Sequence, residues 1–374
     1  MNRRPGRSLL RLADGVEPYP AEPSDEELAR TLGLPPDRVV RFDMNTLGGG
    51  PLPGVVRALA EYDPSLVVEY GDQAYRRLRA AISRVTGAPA NRIVPGAGAD
   101  ELIRLVSTSV VGPDDRVVVA IPTFAMYAVE ARLAGATVVG VSRPHPSRRQ
   151  EVSELRAAAE RHDARLVWLC SPNNPTGDAY GPDEIASLAD GLDAIVVVDC
   201  VYQEFAEASR GEPPESGSLL GLQERLPNLL ILRSLAKAYG LAGARVGYLV
   251  VPDGLAGRFD AARLPLAIGG PSEAAALGAL ADPAAARERH EMIVRERDRL
   301  ADALLARGWE VLPSVTNFLL VRPPDAARLA TALLAEGLAL RSYPDGPLVD
   351  WLRITVRAGT DNDRLLDAIS RLAG

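Results

Sequence analysis

Of the 42 Lys and Arg residues in this 374-residue chain, a single one is lysine, Lys237. Arginine carries surface charge about as well, but its guanidinium stays protonated at any working pH, whereas a lysine amine can lose its proton and attack a carbonyl. Lys237 is therefore either a residual surface lysine in an arginine-biased composition or an amine that the chemistry requires. It stands in Ser234-Leu235-Ala236-Lys237, directly after the apolar run LLILR and eight residues before Arg245.

Other polar residues fall at comparable places. Asp199 closes the run AIVVVD, and Tyr202 follows three residues later. A buried carboxylate is costly unless a cation or several donors meet it, although an Asp here can also cap the next helix. After RLVWLC comes Ser171-Pro172-Asn173-Asn174-Pro175-Thr176-Gly177, whose prolines and glycine hold a rigid turn that presents an amide side chain. The same residues are also ordinary turn formers. Gly96-Ala97-Gly98-Ala99-Asp100-Glu101 follows an expected strand at 92–94 and opens a helix over ELIRLVSTSV. Small residues at a helix N-terminus leave amides free for an anion, typically a phosphate. The loop lacks the third glycine of the dinucleotide fingerprint and the lysine of the Walker loop, so neither NAD nor ATP is favoured.

The elements that must position these residues are legible as short β-branched runs at 117–121, 137–141, 165–170, 194–199, 229–234 and 245–250. Helical patterns separate several of them, around 124–134, 151–161 and 182–191. Continuous apolar strands alternating with helices predict an α/β fold, a mostly parallel sheet sandwiched by helices. From Pro271 the pattern changes to a long charged helix at 284–307, strands at 317–322, 338–341 and 352–357, a helix at 325–336 and a last helix from Asp361. This predicts a smaller α+β domain. The expected division is 1–44 as an N-terminal arm and part of the small domain, 45–270 as the large domain, and 271–374 as the small C-terminal domain. No repeat or low-complexity linker separates them, so close packing is expected.

Composition excludes several classes. At 47% hydrophobic and 24% charged, the chain is that of an ordinary globular protein. A net charge of -7 without a lysine-rich tract argues against nucleic acid or an anionic membrane as partner. No apolar run approaches the ~20 residues that cross a bilayer, and the basic opening MNRRPGRSLL leads into Ala13, Asp14, Gly15 and Glu17 rather than the apolar stretch of a signal peptide. Cys170 and Cys200 form no disulfide framework, and a cytoplasmic protein is expected. His145, His162 and His290 lack ligand spacing, so no metal site is expected.

The pieces together fit one ligand. A phosphate would sit on the amides of Gly98, Ala99 and Asp100 with Ser234 and Arg245. A ring cation would pair with Asp199, a phenolate oxygen would meet Asn174 and Tyr202, and an aldehyde would lie within reach of Lys237. That ligand is pyridoxal 5′-phosphate. The constellation resembles the class I/II aminotransferases of the fold-type I pyridoxal-phosphate family, whose SPNNPTG, D-x-x-Y and S-x-x-K…R motifs occur here in the same order over nearly the whole chain. The resemblance implies that Lys237 bonds to the cofactor aldehyde and then moves a proton at the substrate Cα. It implies that Asp199 keeps the pyridine nitrogen protonated, with Asn174 and Tyr202 on the ring oxygen. Phe124, in PTFAMY, would stack on the ring, where relatives have Tyr or Trp. Tyr70, in VVEYGDQ, would reach the cofactor phosphate of a partner subunit, which implies a homodimer. Arg353, in LRITV, would fork onto the substrate α-carboxylate.

Within that family the resemblance is greatest to the histidinol-phosphate aminotransferase branch, through the GAGADE loop, the Pro18-Tyr19 pair and Arg341 in GLALRSY. It implies Tyr19 and Arg341 near a substrate phosphate, with L-histidinol phosphate as amino donor and 2-oxoglutarate as the 2-oxo acid. The chain departs from the branch at Met44-Asn45-Thr46-Leu47-Gly48-Gly49-Gly50, where relatives carry Asn-Glu-Asn-Pro; the pocket edge has lost an acid and gained flexibility. An aminotransferase for aromatic or other amino acids, or a phosphothreonine decarboxylase of the same subfamily, remains open. A serine acylase also uses S-x-x-K but needs a second lysine in KTG, which this chain does not have. A non-catalytic regulator with the same cofactor is disfavoured because no basic helix-turn-helix of ~60 residues precedes the motifs. The single lysine makes one outcome unambiguous. Borohydride reduction of the yellow purified protein should leave a pyridoxyl label on Lys237 in peptide mapping, and Lys237→Ala should be colourless; a label-free wild type would overturn the reading.

Overall fold

The computed structural model describes residues 22–212 and 218–372. Twelve strands form within them: β1 Val40–Phe42, β2 Ile93–Gly96, β3 Arg116–Ile121, β4 Thr137–Ser142, β5 Leu166–Cys170 and β6 Ile195–Asp199, then β7 Leu229–Ser234, β8 Gly247–Val250, β9 Glu310–Val311, β10 Phe318–Arg322, β11 Leu338–Ser342 and β12 Leu352–Thr355. Seven make one sheet in the order β2-β8-β7-β6-β5-β3-β4, and five make a second in the order β1-β11-β12-β10-β9.

In the larger sheet β4, β3, β5, β6 and β7 run parallel. Their continuous apolar runs are explained by burial on both faces. Val167, Leu169, Val196 and Val198 pack into one cluster, and Leu166, Trp168 and Val197 into another on the opposite face. β8 departs from the parallel set: it pairs antiparallel with both β7 and β2. The connection 235–246 contains no α-helix to carry the chain back along the sheet, so the strand returns in the reverse direction. That connection holds Lys237.

The smaller sheet takes in β1, which runs parallel to β11 and brings the segment before residue 45 against the C-terminal region. Helix Pro283–Leu305 joins the sheets. Asp282 caps it through Ala285 N at 3.1 Å, with proline at the first position. Its Ala286, Ile293, Leu300 and Leu304 belong to the cluster that covers one face of the larger sheet and also contains Phe318, Leu352 and Ile354 of the smaller one. Among the described residues no helix is long and apolar enough to cross a membrane.

Helices Pro53–Ala60 and Gly270–Leu280 cross at glycines. A Cβ on Gly278 would overlap the carbonyl oxygen of Gly54 and lie 2.7 Å from Ala58 Cβ. Backbone cannot yield as a flexible side chain does, so Gly278→Ala should lower stability by roughly 1–3 kcal/mol. A urea or thermal unfolding midpoint equal to wild type would show that the helices separate freely.

Candidate active site

The carboxyl ends of β5, β6 and β7 lie side by side, with Cys170 opposite Asp199 and Asp199 opposite Leu232. The turn 171–177, Asp199 and the lysine loop therefore leave the sheet along one edge, where ligands of open α/β sheets bind.

Asp199 is 2% exposed. Tyr127 Oη donates to its Oδ2 at 2.6 Å, and the amide of Val201 donates to Oδ1 at 3.1 Å. No cation pairs with it among the described residues. Burial pushes its carboxyl up to about 6, against the opposing effect of the two hydrogen bonds. The Tyr127 ring is fully buried and stacks on Trp168, centroids 4.8 Å apart and planes 10° off parallel. Phe124 meets it edge-on at 5.7 Å, one ring away from Asp199.

Lys237 reaches the site from the loop after β7. Its Nζ donates to the carbonyl of Met44 at 3.0 Å. Burial, then the nearby Arg353 and Arg245, depress the amine to about 8, opposed by Asp100. Arg353, on β12, donates from Nη1 to Asn174 Oδ1 at 2.6 Å and from Nη2 to the Asp43 carbonyl; its Nε is buried without a partner. Asn174 is presented by its neighbour Asn173, which accepts from Thr123 Oγ1 at 2.7 Å and donates to the Pro122 carbonyl at 3.1 Å and to Thr176 Oγ1 at 2.7 Å. Tyr202 is buried, accepts from Asn45 Nδ2 at 2.9 Å, and has its phenol pushed above the ordinary range by burial.

Asn45 ties the two sheets together here. It adopts the left-handed region at φ 52°, which asparagine tolerates. Its amide donates to Thr355 Oγ1 at 2.9 Å and its carbonyl accepts from Asn317 Nδ2 at 3.1 Å. The expected flexibility of the 44–50 segment is thus limited at both ends, because Arg289 Nη1 donates to the Gly50 carbonyl at 2.6 Å.

A second cluster lies at the start of helix Gly98–Val110. The first-turn amides of such a helix have no partners within it. Gly98 has φ +84°, and a Cβ there would lie 2.9 Å from Arg245 Nη2. Arg245 bridges to Asp100 at 2.6 Å, both side chains half exposed. Ser234 is buried, accepting from Ala236 N at 3.1 Å. A backbone cradle that only glycine permits, topped by an arginine, suits a phosphate. A buried carboxylate met only by neutral donors suits a ring cation, so the residues present fit pyridoxal phosphate on two independent observations.

Three of the residues singled out by sequence make no contact with this cluster among the described residues. Tyr70 is 90% exposed, beside exposed Leu66, Val67 and Val68. Arg341, directly across from Arg353 in the β11–β12 pairing, forms an ion pair with Glu22. Tyr19 lies outside the described residues. Sequence reasoning missed Tyr127, Asn45, Asn173 and the Met44 carbonyl. The one available signal for Tyr127 was its place three residues after Phe124.

Comparison with known proteins places this geometry in a family. The family model for aminotransferase class I and II matches residues 37–372, and the chain belongs to that family. The chain is 38% identical to histidinol-phosphate aminotransferase of Roseiflexus castenholzii over 96% of both chains. It is 35% identical to the enzyme of that name from Paramagnetospirillum magneticum, over 90% of this chain and 93% of the other. The crystal structure of histidinol-phosphate aminotransferase from Sinorhizobium meliloti in complex with pyridoxal-5′-phosphate matches with a TM-score of 0.86 and 28% identity, covering 98% of this chain and 99% of that one.

The raised carboxyl of Asp199 has a thermodynamic consequence. Its folded value of about 6 lies above the ordinary 3.8, so between those values the folded state binds the extra proton. Stability of the ligand-free protein should therefore fall as pH rises from about 4 to 6, by about 3 kcal/mol in all for this group. Asp199→Asn should remove that fall and unfold later in urea at pH 7 than wild type. Equal midpoints at pH 7 would mean that the carboxylate is already compensated.

Proposed function

We propose that this protein is a pyridoxal-5′-phosphate-dependent aminotransferase that converts L-histidinol phosphate and 2-oxoglutarate to imidazole acetol phosphate and L-glutamate, a step of histidine biosynthesis. The observation that carries the class is a half-buried amine, Lys237, in the loop after β7, with a buried carboxylate without a cation, Asp199, at the end of the adjoining strand β6. The substrate rests on the similarity to histidinol-phosphate aminotransferases over nearly the full chain.

When bound, pyridoxal phosphate supplies an aldehyde that takes up the amino group and a protonated ring that accepts electrons from the substrate Cα. The amides of Gly98, Ala99 and Asp100, with Ser234 and Arg245, hold the phosphate. Asp199 holds the proton on the ring nitrogen, its own position fixed by Tyr127. Asn174 and Tyr202 bind the ring oxygen, and Phe124 covers the ring face. Lys237 takes the proton from the substrate Cα; an amine near 8 is partly neutral at working pH and can act as the base. Arg353 binds the α-carboxylate, for which its unpartnered Nε and forked geometry are suited. Arg341, with Tyr19, binds the substrate phosphate once Glu22 gives way.

The same reading makes the protein a cytoplasmic homodimer in which Tyr70 reaches across to the partner's cofactor phosphate. Exposed Leu66, Val67, Val68 and Tyr70 support such an interface. It also divides the chain at 44/45 and 270/271 into the arm, the large domain and the small domain.

The test is a single half-reaction. Histidinol phosphate, phosphothreonine, Phe, Tyr and Asp are titrated separately, and conversion to the pyridoxamine form is followed by absorbance. Histidinol phosphate should convert at the lowest concentration, and Arg341→Met should weaken it on the order of tenfold or more while barely affecting Phe. Histidinol phosphate no better than Phe would make this a broader aminotransferase, and CO₂ from phosphothreonine would make it a decarboxylase.

A further inference from the structure

His290 is 6% exposed on helix Pro283–Leu305 and has no part in the chemistry above. Its Nε2 lies 2.9 Å from the carbonyl oxygen of Ala238, the residue after Lys237. A carbonyl can only accept, so Nε2 carries the hydrogen. Phe205 and Tyr239 meet the imidazole edge-on at 5.5 and 5.9 Å and fix its plane. Burial pushes the ring down to about 4, with Arg289 and Arg287 acting in the same sense and the Ala238 carbonyl and Glu291 opposing. The ring is therefore neutral at working pH, and its one N–H is committed to this bond.

The lysine turn closes on itself through Gly240 N to the Lys237 carbonyl at 3.2 Å and Leu241 N to the Leu235 carbonyl at 3.1 Å. The Ala238 carbonyl instead reaches out of the turn to the helix. The next residue on that helix, Arg289, holds the Gly50 carbonyl at 2.6 Å, at the far end of the segment whose Met44 carbonyl receives the Lys237 amine. Two consecutive side chains thus anchor both strips of backbone that flank the amine. Packing alone does not require a histidine here, since an apolar side chain would fill an aromatic-walled site without burying an N–H.

We infer that His290 is a positioning residue for Lys237: its Nε2–H fixes the Ala238 carbonyl, and so sets the place from which the amine acts. The inference rests on the reading of Lys237 as the cofactor-bearing amine. Arg289 supports it through the Gly50 carbonyl, at the far end of the segment that receives the amine.

The single lysine allows a direct measurement. In cofactor-free protein, reductive methylation with ¹³C-formaldehyde labels Lys237 and the α-amine, and NMR resolves the titration of each. Wild type should titrate near 8 at Lys237. Glutamine places an amide N–H where Nε2 stands, asparagine falls short, and leucine has no donor. His290→Asn and His290→Leu should move the midpoint up by about half a pH unit or more, toward an ordinary lysine, as the loosened turn admits water. Their kcat should fall on the order of tenfold with little change in KM, the effect of a misplaced group, and His290→Gln should restore most of both. If the leucine variant does not fold, the Gln and Asn pair decides. The inference is overturned if Asn titrates like wild type, or if Gln fails as Asn does, which would leave His290 as space-filling. A wild type that takes no borohydride label at Lys237 would instead defeat the function reading, and is scored separately.

Discussion

The site depends on a carboxylate that the fold buries without giving it a cation. Asp199 ends β6, a strand flanked on both sides by parallel neighbours, and is 2% exposed. Tyr127 and the Val201 amide satisfy its oxygens as hydrogen-bond acceptors but leave its charge uncompensated. Burying an unpaired charge is among the largest penalties a protein carries, and the usual relief is a shifted pKa. The stacking of Tyr127 on Trp168 belongs to the same arrangement, since it holds the donor that keeps the carboxylate oriented. A bound cation would reverse the penalty, and any ligand that binds only the folded state raises its stability by mass action. Fold stability and ligand binding are therefore coupled through one side chain.

What could be read from sequence follows from how each residue is placed. The strands were legible because double-sided burial demands uninterrupted apolar runs, and the residues at their ends stood out as polar punctuation: Asn174, Asp199, Ser234 and Lys237. Gly98 was legible from loop composition and Arg245 from its spacing after Lys237. Tyr127 was not, because its partner Asp199 lies 72 residues away and a tyrosine inside a short helix carries no local sign of that bond. Asn45 was hidden for the same reason, 157 residues from Tyr202, inside a segment whose glycines suggested only looseness. The direction of β8 was also invisible, since a strand run does not reveal which neighbour it reverses against. Arg341 could be named as a cation near the substrate, but its pairing with Glu22 could not.

The chain's use of arginine sharpens this contrast. Arg41 forks onto Asp43 through two 2.8 Å bonds and also holds the Pro23 carbonyl, and Arg143 bridges to Asp178. These are tasks for a planar donor array that never loses its charge. Arg353 and Arg245 near the lysine do the same work as fixed cations. Beside them an arginine at 237 would be one more permanent charge. An amine there is different because burial, helped by the neighbouring arginines, can discharge it.

Lys237 and Asp199 follow the carboxyl ends of adjoining strands, and an amine and a carboxylate in low dielectric would ordinarily seek each other. Here they do not pair: Lys237 is turned to the Met44 carbonyl and Asp199 to Tyr127. Burial drives both shifts, the amine down to about 8 and the acid up to about 6, and neither group offsets the other's. The separation has a cost in the ligand-free protein, but it preserves two different functions. A salt bridge would hold the amine protonated and unreactive, and would fill the acid's lone pairs with the wrong cation. A ligand with a basic ring nitrogen at one end and an aldehyde at the other resolves both defects at once, by pairing with the acid and bonding to the neutral amine. Selectivity for such a ligand then arises from two groups held on separate partners, more than from the strength of any single contact.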